Sequence, residues 1–216
     1  MNVLLVAATD KEIEPLRKEA ERKSFKNIKC DFLVTGPGST ATTYGMMKRL
    51  KHCHYDLALN VGLAGSFRNE INIGEVVVVV ADEFGDLGAE DHEEFLSAFE
   101  IGIMDADRFP FWNGKLKCEE VQKFQGLETL KKVKAITVNT VHGNEIRIQR
   151  TRRKFHPDIE TMEGAAFHYV CGLEKIPAIQ LRAISNRVEK RNRAAWNITL
   201  ALDNLSNTVV YFLNHL

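Results

Sequence analysis

The sequence predicts a three-layer α/β sandwich, with helices on both faces of a mixed, mainly parallel β-sheet. Three observations lead there. Apolar runs of strand length, such as "VLLVAA" at 3–8 and "VVVVVA" at 76–81, are apolar at every position, which marks strands covered on both faces. Segments with helical spacing alternate with them. A chain of 216 residues is also long enough for one well-cored domain, so residues 1–216 are expected to form a single unit.

Residues 2–8 supply the first strand. Asp10 is expected to cap the helix "KEIEPLRKEAERK" (11–23), in which Pro15 is tolerable only in the first turn. "IKCDFLVTG" (28–36) is the second strand. "GPGST" turns the chain, and Ser39 or Thr40 can cap the helix "ATTYGMMKRLKH" (41–52). Residues 56–62 and 74–81 are the third and fourth strands, and 133–140, 158–163 and 177–185 are three more. A helix over 164–173 separates the last two. From 193 to 216, Trp196, Leu200, Leu205, Val209 and Phe212 are spaced for one helix. Residues 84–118 are too irregular for a single element, and loops of that length tend to carry function.

Composition excludes several classes of partner. Charge balances at 29 basic and 29 acidic residues, which argues against nucleic acid or an anionic membrane. No apolar run approaches the roughly 20 residues of a membrane span. Met1 leads straight into a strand without a basic leader. Four scattered cysteines without a C-x-x-C pattern are expected to be reduced thiols, and the protein cytoplasmic.

Ligands of open α/β sheets sit at the carboxyl ends of strands. Four polar signals fall there: Glu12 after the first strand, the "NVGLAGSF" turn (60–67) after the third, Glu163 after "DIETM", and Asn186 at the end of the last strand. Each has a structural explanation by itself. Glu12 and Glu163 can complement helix dipoles, Gly-rich turns are common, and Asn186 can serve a turn. Together they bring two carboxylates and an amide to one sheet edge, the arrangement of an acid/base site. Two other signals are weaker. "HCH" at 52–54 sits at a helix end, where solvated side chains are the simpler reading than a metal site. The basic run "RIQRTRRKFH" (147–156) lacks stacking aromatics beyond Phe155 and reads as a solvated or interface face. His142 in "VHGNE" is either catalytic or a helix cap, and the sequence does not separate the two.

The motifs "VLLVAATDKEIEPL", "LALNVGLAGSF", "INIGEVVVV", "ETMEGAAFHYVC" and "IPAIQLRAISN" resemble, in order, those of the nucleoside phosphorylase/nucleosidase superfamily. The similarity is to its methylthioadenosine/adenosylhomocysteine nucleosidase branch. "GLAGSF", the insert with "DLGAED" and "FPF", and "ISNRVEKRNRAAWNI" are similar to the futalosine hydrolase family in particular. The resemblance implies hydrolysis of an N-ribosidic bond in the futalosine route to menaquinone, a homodimer, and neither metal nor cofactor. It implies that Glu12 activates water, that Glu163 accepts hydrogen bonds from the ribose hydroxyls, and that Met162 packs on the sugar. It further implies that backbone around Ala64, Gly65 and Val141 lines the base pocket. Where adenine-specific relatives have an Asp that activates the base, this sequence has Asn186, which points away from adenine and toward a 6-oxopurine. Related phosphorylases have a Gly-rich turn where this chain has "AATDKE", and Glu12 there would repel phosphate but suit water. The aromatics Phe109, Phe111 and Trp112 are expected either to form an apolar wall for the substrate's 5′ arm or to pack a loop or dimer. Three alternatives stay open: an adenine-releasing nucleosidase, a nucleoside phosphorylase, and a nucleoside-binding protein without turnover.

Overall fold

The structure, a computed structural model, describes residues 1–22 and 25–216. Strand β1 (Asn2–Ala7) shows why the chain layers. Val3, Leu5 and Ala7 join one apolar cluster, while Leu4 and Val6 join another on the opposite face. The period-two alternation of a strand therefore serves two cores, and the continuous apolar run is a consequence. Helix α1 (Asp10–Arg22) covers the first face with Ile13 and Leu16. Its expected last residue, Lys23, lies outside the described residues. The helix runs through Pro15, beyond its first turn, so no bond from residue 15 to the Lys11 carbonyl can form. Thr9 rather than Asp10 closes its N-terminus: the Glu12 carboxylate accepts from the Thr9 N–H at 3.0 Å, as in a capping box.

Strand β2 (Lys29–Val34) pairs in parallel with β1, and helix α2 (Ser39–Leu50) follows. The expected Ser39 or Thr40 cap is not formed. Gly38 holds that position at φ 89°, a conformation that favours glycine, and the first helical N–H, that of Ser39, is taken up by Asn139 Oδ1 at 3.2 Å. "HCH" lies just past α2 with both histidines exposed. No metal-binding cluster occurs among the described residues.

Strand β3 (Leu57–Ser66) organises the rest. Its first half pairs with β1, Ala58 to Ser66 with β10 (Ala178–Arg187), and its last two residues with β9 (Ile159–Thr161). The order β10–β4–β8–β9–β3, with β4 at Val76–Phe84 and β8 at Lys131–Thr137, returns to its start because β10 also pairs with β3. The mixed, mainly parallel α/β character is as expected, but the open three-layer sandwich is replaced by a sheet that closes on itself. A ten-residue β3 is what permits it: one strand can lie in the open part and the ring at once.

Two helices differ from expectation. Helix α3 (Glu145–Phe155) buries only Ile148 and Thr151, so the sequence shows no apolar stripe there. Asn144 caps it, which removes that role from His142. The basic run lies along this helix, and Arg150 and Lys154 pair with Glu93 and Glu100 of the 84–118 insert. The C-terminal helix, α5, spans only Ile198–Leu213, capped by Asn197. A short 3-10 turn at Arg193–Ala195 precedes it, and Trp196 between them is extended. The Asn197 N–H bonds the Ser185 carbonyl at 2.9 Å, which anchors this break to β10.

Within the insert, β5 (Gly88–Asp91) and β6 (Glu94–Ser97) form a hairpin, and β7 (Leu116–Lys117) returns to β4. Helix α4 (Gly164–Leu173) matches its expected bounds and is buried along most of its length. Among the described residues no helix is long and apolar enough to cross a membrane.

Candidate active site

A cavity of about 400 Å³ opens where the carboxyl ends of β1, β3 and β10 meet the end of β9. Glu12, Ala64, Gly65, Val141, Met162, Glu163 and Asn186 all line it. The seven residues singled out in the sequence are thus brought together. Phe109, Phe111 and Trp112 are not among its lining. Phe111 is buried against Phe84, Phe99 and Tyr169, whereas Phe109 and Trp112 are exposed. The apolar wall expected from them is not part of this cavity, whose aromatic lining is His142 and Trp196.

Glu12 is fixed from two sides. Oε2 accepts from the N–H and Oγ1 of Thr9, at 3.0 and 2.9 Å, and Oε1 accepts from the Leu63 N–H at 3.0 Å. The helix start and β3 therefore hold one carboxylate between them. Glu163, nearly buried, opens α4. Its Oε1 accepts from the Gly38 N–H at 3.2 Å, and its Oε2 lies 3.4 Å from Arg182 Nη1. Burial pushes the Glu163 carboxyl above its usual range; the Arg182 guanidinium opposes that and the Glu12 charge adds to it.

Arg182 is the residue that sequence reasoning passed over. It is fully buried on β10 and also donates to Asn60 Oδ1. A charge in the middle of "AIQLRAI" should have signalled a buried acidic partner, because an unpaired buried guanidinium is too costly to keep. Gly62 makes room for the meeting. A Cβ there would lie 2.5 Å from Arg182 Nη1 and 2.8 Å from Glu12 Oε1. Glu163 is paired with that guanidinium, and Glu12 Oε1 comes up to the same glycine without an ion pair to it.

Asn186 owes its position to an irregularity. Ile184 pairs with Ala64 and Asn186 with Gly65, so Ser185 is an extra residue on β10. Such bulges re-aim side chains next to functional sites. Ser185 Oγ donates to Asn186 Oδ1 at 2.7 Å, and Asn186 Nδ2 donates to the Arg187 carbonyl at 2.8 Å. One N–H of the amide is then left for a ligand. His142 and Glu160 complete this end: His142 Nδ1 sits 2.6 Å from Glu160 Oε2, and His142 Nε2 sits 2.8 Å from Thr151 Oγ1. Glu160 was not singled out, because a carboxylate inside a three-residue strand gives no local sign of where it faces.

The arrangement offers one carboxylate on neutral donors, one on a cation, and an amide beyond them. That set suits a substrate in which positive charge develops between the two acids.

The phosphorylase superfamily model matches residues 2–214. A futalosine hydrolase of Streptomyces coelicolor is 32% identical over 157 residues, covering 72% of this chain and 64% of that protein, just under two thirds. One from Acidothermus cellulolyticus is 30% identical over 184 residues, covering 82% of this chain and 72% of that protein. Among solved structures, the 5′-methylthioadenosine/S-adenosylhomocysteine nucleosidase of Helicobacter pylori, with butyl-thio-DADMe-Immucillin-A, superposes at a TM-score of 0.82. It covers 100% of this chain and 99% of that chain at 16% identity, a likeness of fold.

Proposed function

Since the chain belongs to the phosphorylase superfamily, we propose that it is a nucleosidase that hydrolyses the N-ribosidic bond of futalosine, releasing hypoxanthine and dehypoxanthine futalosine. Two curated relatives at 30% identity or more bear the name futalosine hydrolase. The observation that carries the reading is one cavity lined by Glu12 on neutral donors, by Glu163 paired with Arg182, and by an amide rather than an acid at Asn186.

Cleavage passes through an oxocarbenium-like sugar. Glu12, held by the Thr9 and Leu63 donors, takes a proton from the attacking water. Glu163 accepts from the ribose hydroxyls, and that contact strengthens as positive charge builds on the sugar. Arg182 orients Glu163 and holds its charge. Met162 packs on the sugar face. The backbone at Ala64, Gly65 and Val141 borders the base, and the free Asn186 N–H donates to O6. The reaction needs no metal or cofactor. The protein works as a single domain in the cytoplasm, as a homodimer, in menaquinone biosynthesis.

Purified protein incubated with futalosine, inosine and methylthioadenosine, with and without phosphate, tests the reading by chromatography of the free base. Hypoxanthine from futalosine without phosphate is expected. Adenine release alone, or a strict need for phosphate, overturns it.

A further inference from the structure

The pair formed by Glu160 and His142 has no part in the chemistry above, yet both side chains line the cavity at its Asn186 end. Glu160 faces Gly65 across the β3–β9 pairing. A Cβ on Gly65 would lie 2.9 Å from Val188 Cγ2, 3.2 Å from Asn186 Nδ2 and 3.5 Å from Glu160 Cγ, so the Asn186 amide and the Glu160 side chain both come up to that glycine. Glu160 is only 4% exposed, and no Lys or Arg pairs with it among the described residues. What holds it is His142. The backbone N–H of His142 donates to Oε1 at 3.1 Å, and Nδ1 meets Oε2 at 2.6 Å. Thr151 Oγ1, 2.8 Å from Nε2, fixes the far side of the ring. With the proton on Nδ1, the ring donates to Glu160 and accepts from Thr151, and both ring nitrogens are satisfied. The His142 N–H also reaches Oε2 at 3.4 Å, so Oε1 is the oxygen that keeps a lone pair.

The chemistry of the leaving base says what such an acceptor would read. The keto form of a 6-oxopurine carries O6 between N7, an acceptor, and N1–H, a donor. Asn186 supplies the donor for O6. An acceptor placed beside that amide then meets N1–H. Adenine presents the reverse pattern, with an N6 donor and an N1 that carries no hydrogen and would face the carboxylate as a second acceptor. We infer that Glu160, positioned by His142, accepts N1–H of the base and is a specificity-determining residue for 6-oxopurine nucleosides, rejecting adenine by repulsion as well as by a lost bond. This rests on the proposed release of a 6-oxopurine.

The test uses inosine, 1-deazainosine (which replaces N1–H by C–H) and adenosine, with wild type, Glu160→Gln and Glu160→Ala. Wild type should lose about 10–10²-fold in kcat/KM from inosine to 1-deazainosine, the worth of a hydrogen bond to a charged group. In Glu160→Ala that loss should shrink to a few-fold. In Glu160→Gln, whose amide can turn its N–H₂ toward N1, the ratio of adenosine to inosine turnover should rise about tenfold. A strut that merely ties the His142 loop to β9 would lower all three substrates together. Equal discrimination against 1-deazainosine in wild type and the variants overturns the inference, as does a wild type that does not distinguish the two substrates, even if neither variant folds. If wild type releases no hypoxanthine from inosine or futalosine, the proposed function itself fails, which is a separate outcome.

Discussion

Asn186→Asp exchanges an amide for an acid at a position whose hydrogen bonds are already defined. In the native protein, Nδ2 donates to the Arg187 carbonyl at 2.8 Å while Oδ1 accepts from Ser185 Oγ. A carboxylate can keep the second bond but not the first. Its other oxygen would face the Arg187 carbonyl, acceptor to acceptor, and O6 of a hypoxanthine nucleoside would meet the same oxygen. An unsatisfied buried polar contact costs about 1–3 kcal/mol. By transition-state arithmetic this is a loss of about 5–150-fold in kcat/KM for futalosine. The acid escapes the clash by carrying a proton, and in that form it can donate to N7 and accept from N6 of adenine. The 6-amino counterpart of futalosine should therefore lose less, or gain. The assay is kcat/KM for both substrates in both proteins, with thermal melting to check the fold. A ratio of the two substrates that does not move toward the amino compound refutes the reasoning and returns Asn186 to a structural amide at a bulge.

Four further outcomes follow from the same geometry. Glu12→Gln should leave binding of futalosine intact and reduce turnover by about 10²–10⁴-fold, the usual effect of losing a positioned general base; near-normal single-turnover rates would count against that role. Glu163→Ala should weaken both KM and kcat and should abolish most of the wild-type preference for ribose over 2′-deoxyribose, measured with inosine and 2′-deoxyinosine. Gly62→Ala places a methyl against Arg182 Nη1 and Glu12 Oε1, so it should cut turnover about tenfold or more with a melting temperature close to wild type, because two side-chain ends can yield without moving backbone. Asp82 is fully buried, and burial pushes its carboxyl up to about 7 from 3.8, against a hydrogen bond from Thr137. Its ionised form is thus the disfavoured one in the fold, and the stability it contributes is present at low pH and is lost as pH rises from about 4 through about 7. Asp82→Asn cannot ionise, and urea unfolding at pH 4.5 and pH 8 should show it gaining on wild type at the higher pH, by at most roughly 4 kcal/mol.

How far the sequence exposed this protein depended on whether each signal was local. The bounds of α4 and the strand character of β1, β3 and β10 are written in neighbouring residues, whereas "TDKE" offers both Thr9 and Asp10 as caps, and the expected Asp10 gave way to Thr9. Helix α3 was hidden because its helical face packs only Ile148 and Thr151, leaving charge all round. Sheet closure was hidden for a different reason. It depends on β10 finding β3 and β4 at once, and strands that pair on both edges look the same in sequence whether the sheet is open or shut. The bulge at Ser185 is invisible for a related reason, since one extra residue is defined only against the register of a partner strand.

The two acids of the cavity show the same division in their chemistry. Glu12 is tethered by its own helix start and by one backbone N–H of β3, all neutral donors, so a proton arriving there displaces no cation. Glu163 is tethered by Gly38, 125 residues away in sequence, and by Arg182, so a proton arriving there would break a buried ion pair. Two carboxylates that share a cavity can take different tasks when their partners differ in charge. On this account the acid on neutral donors suits proton transfer from water, and the acid beside a guanidinium, whose pull opposes the upward push of burial, suits hydrogen bonds from the sugar. Exchanging the roles would require moving Arg182 away from Glu163, and Gly62 is the residue whose lack of a side chain leaves that guanidinium where it is.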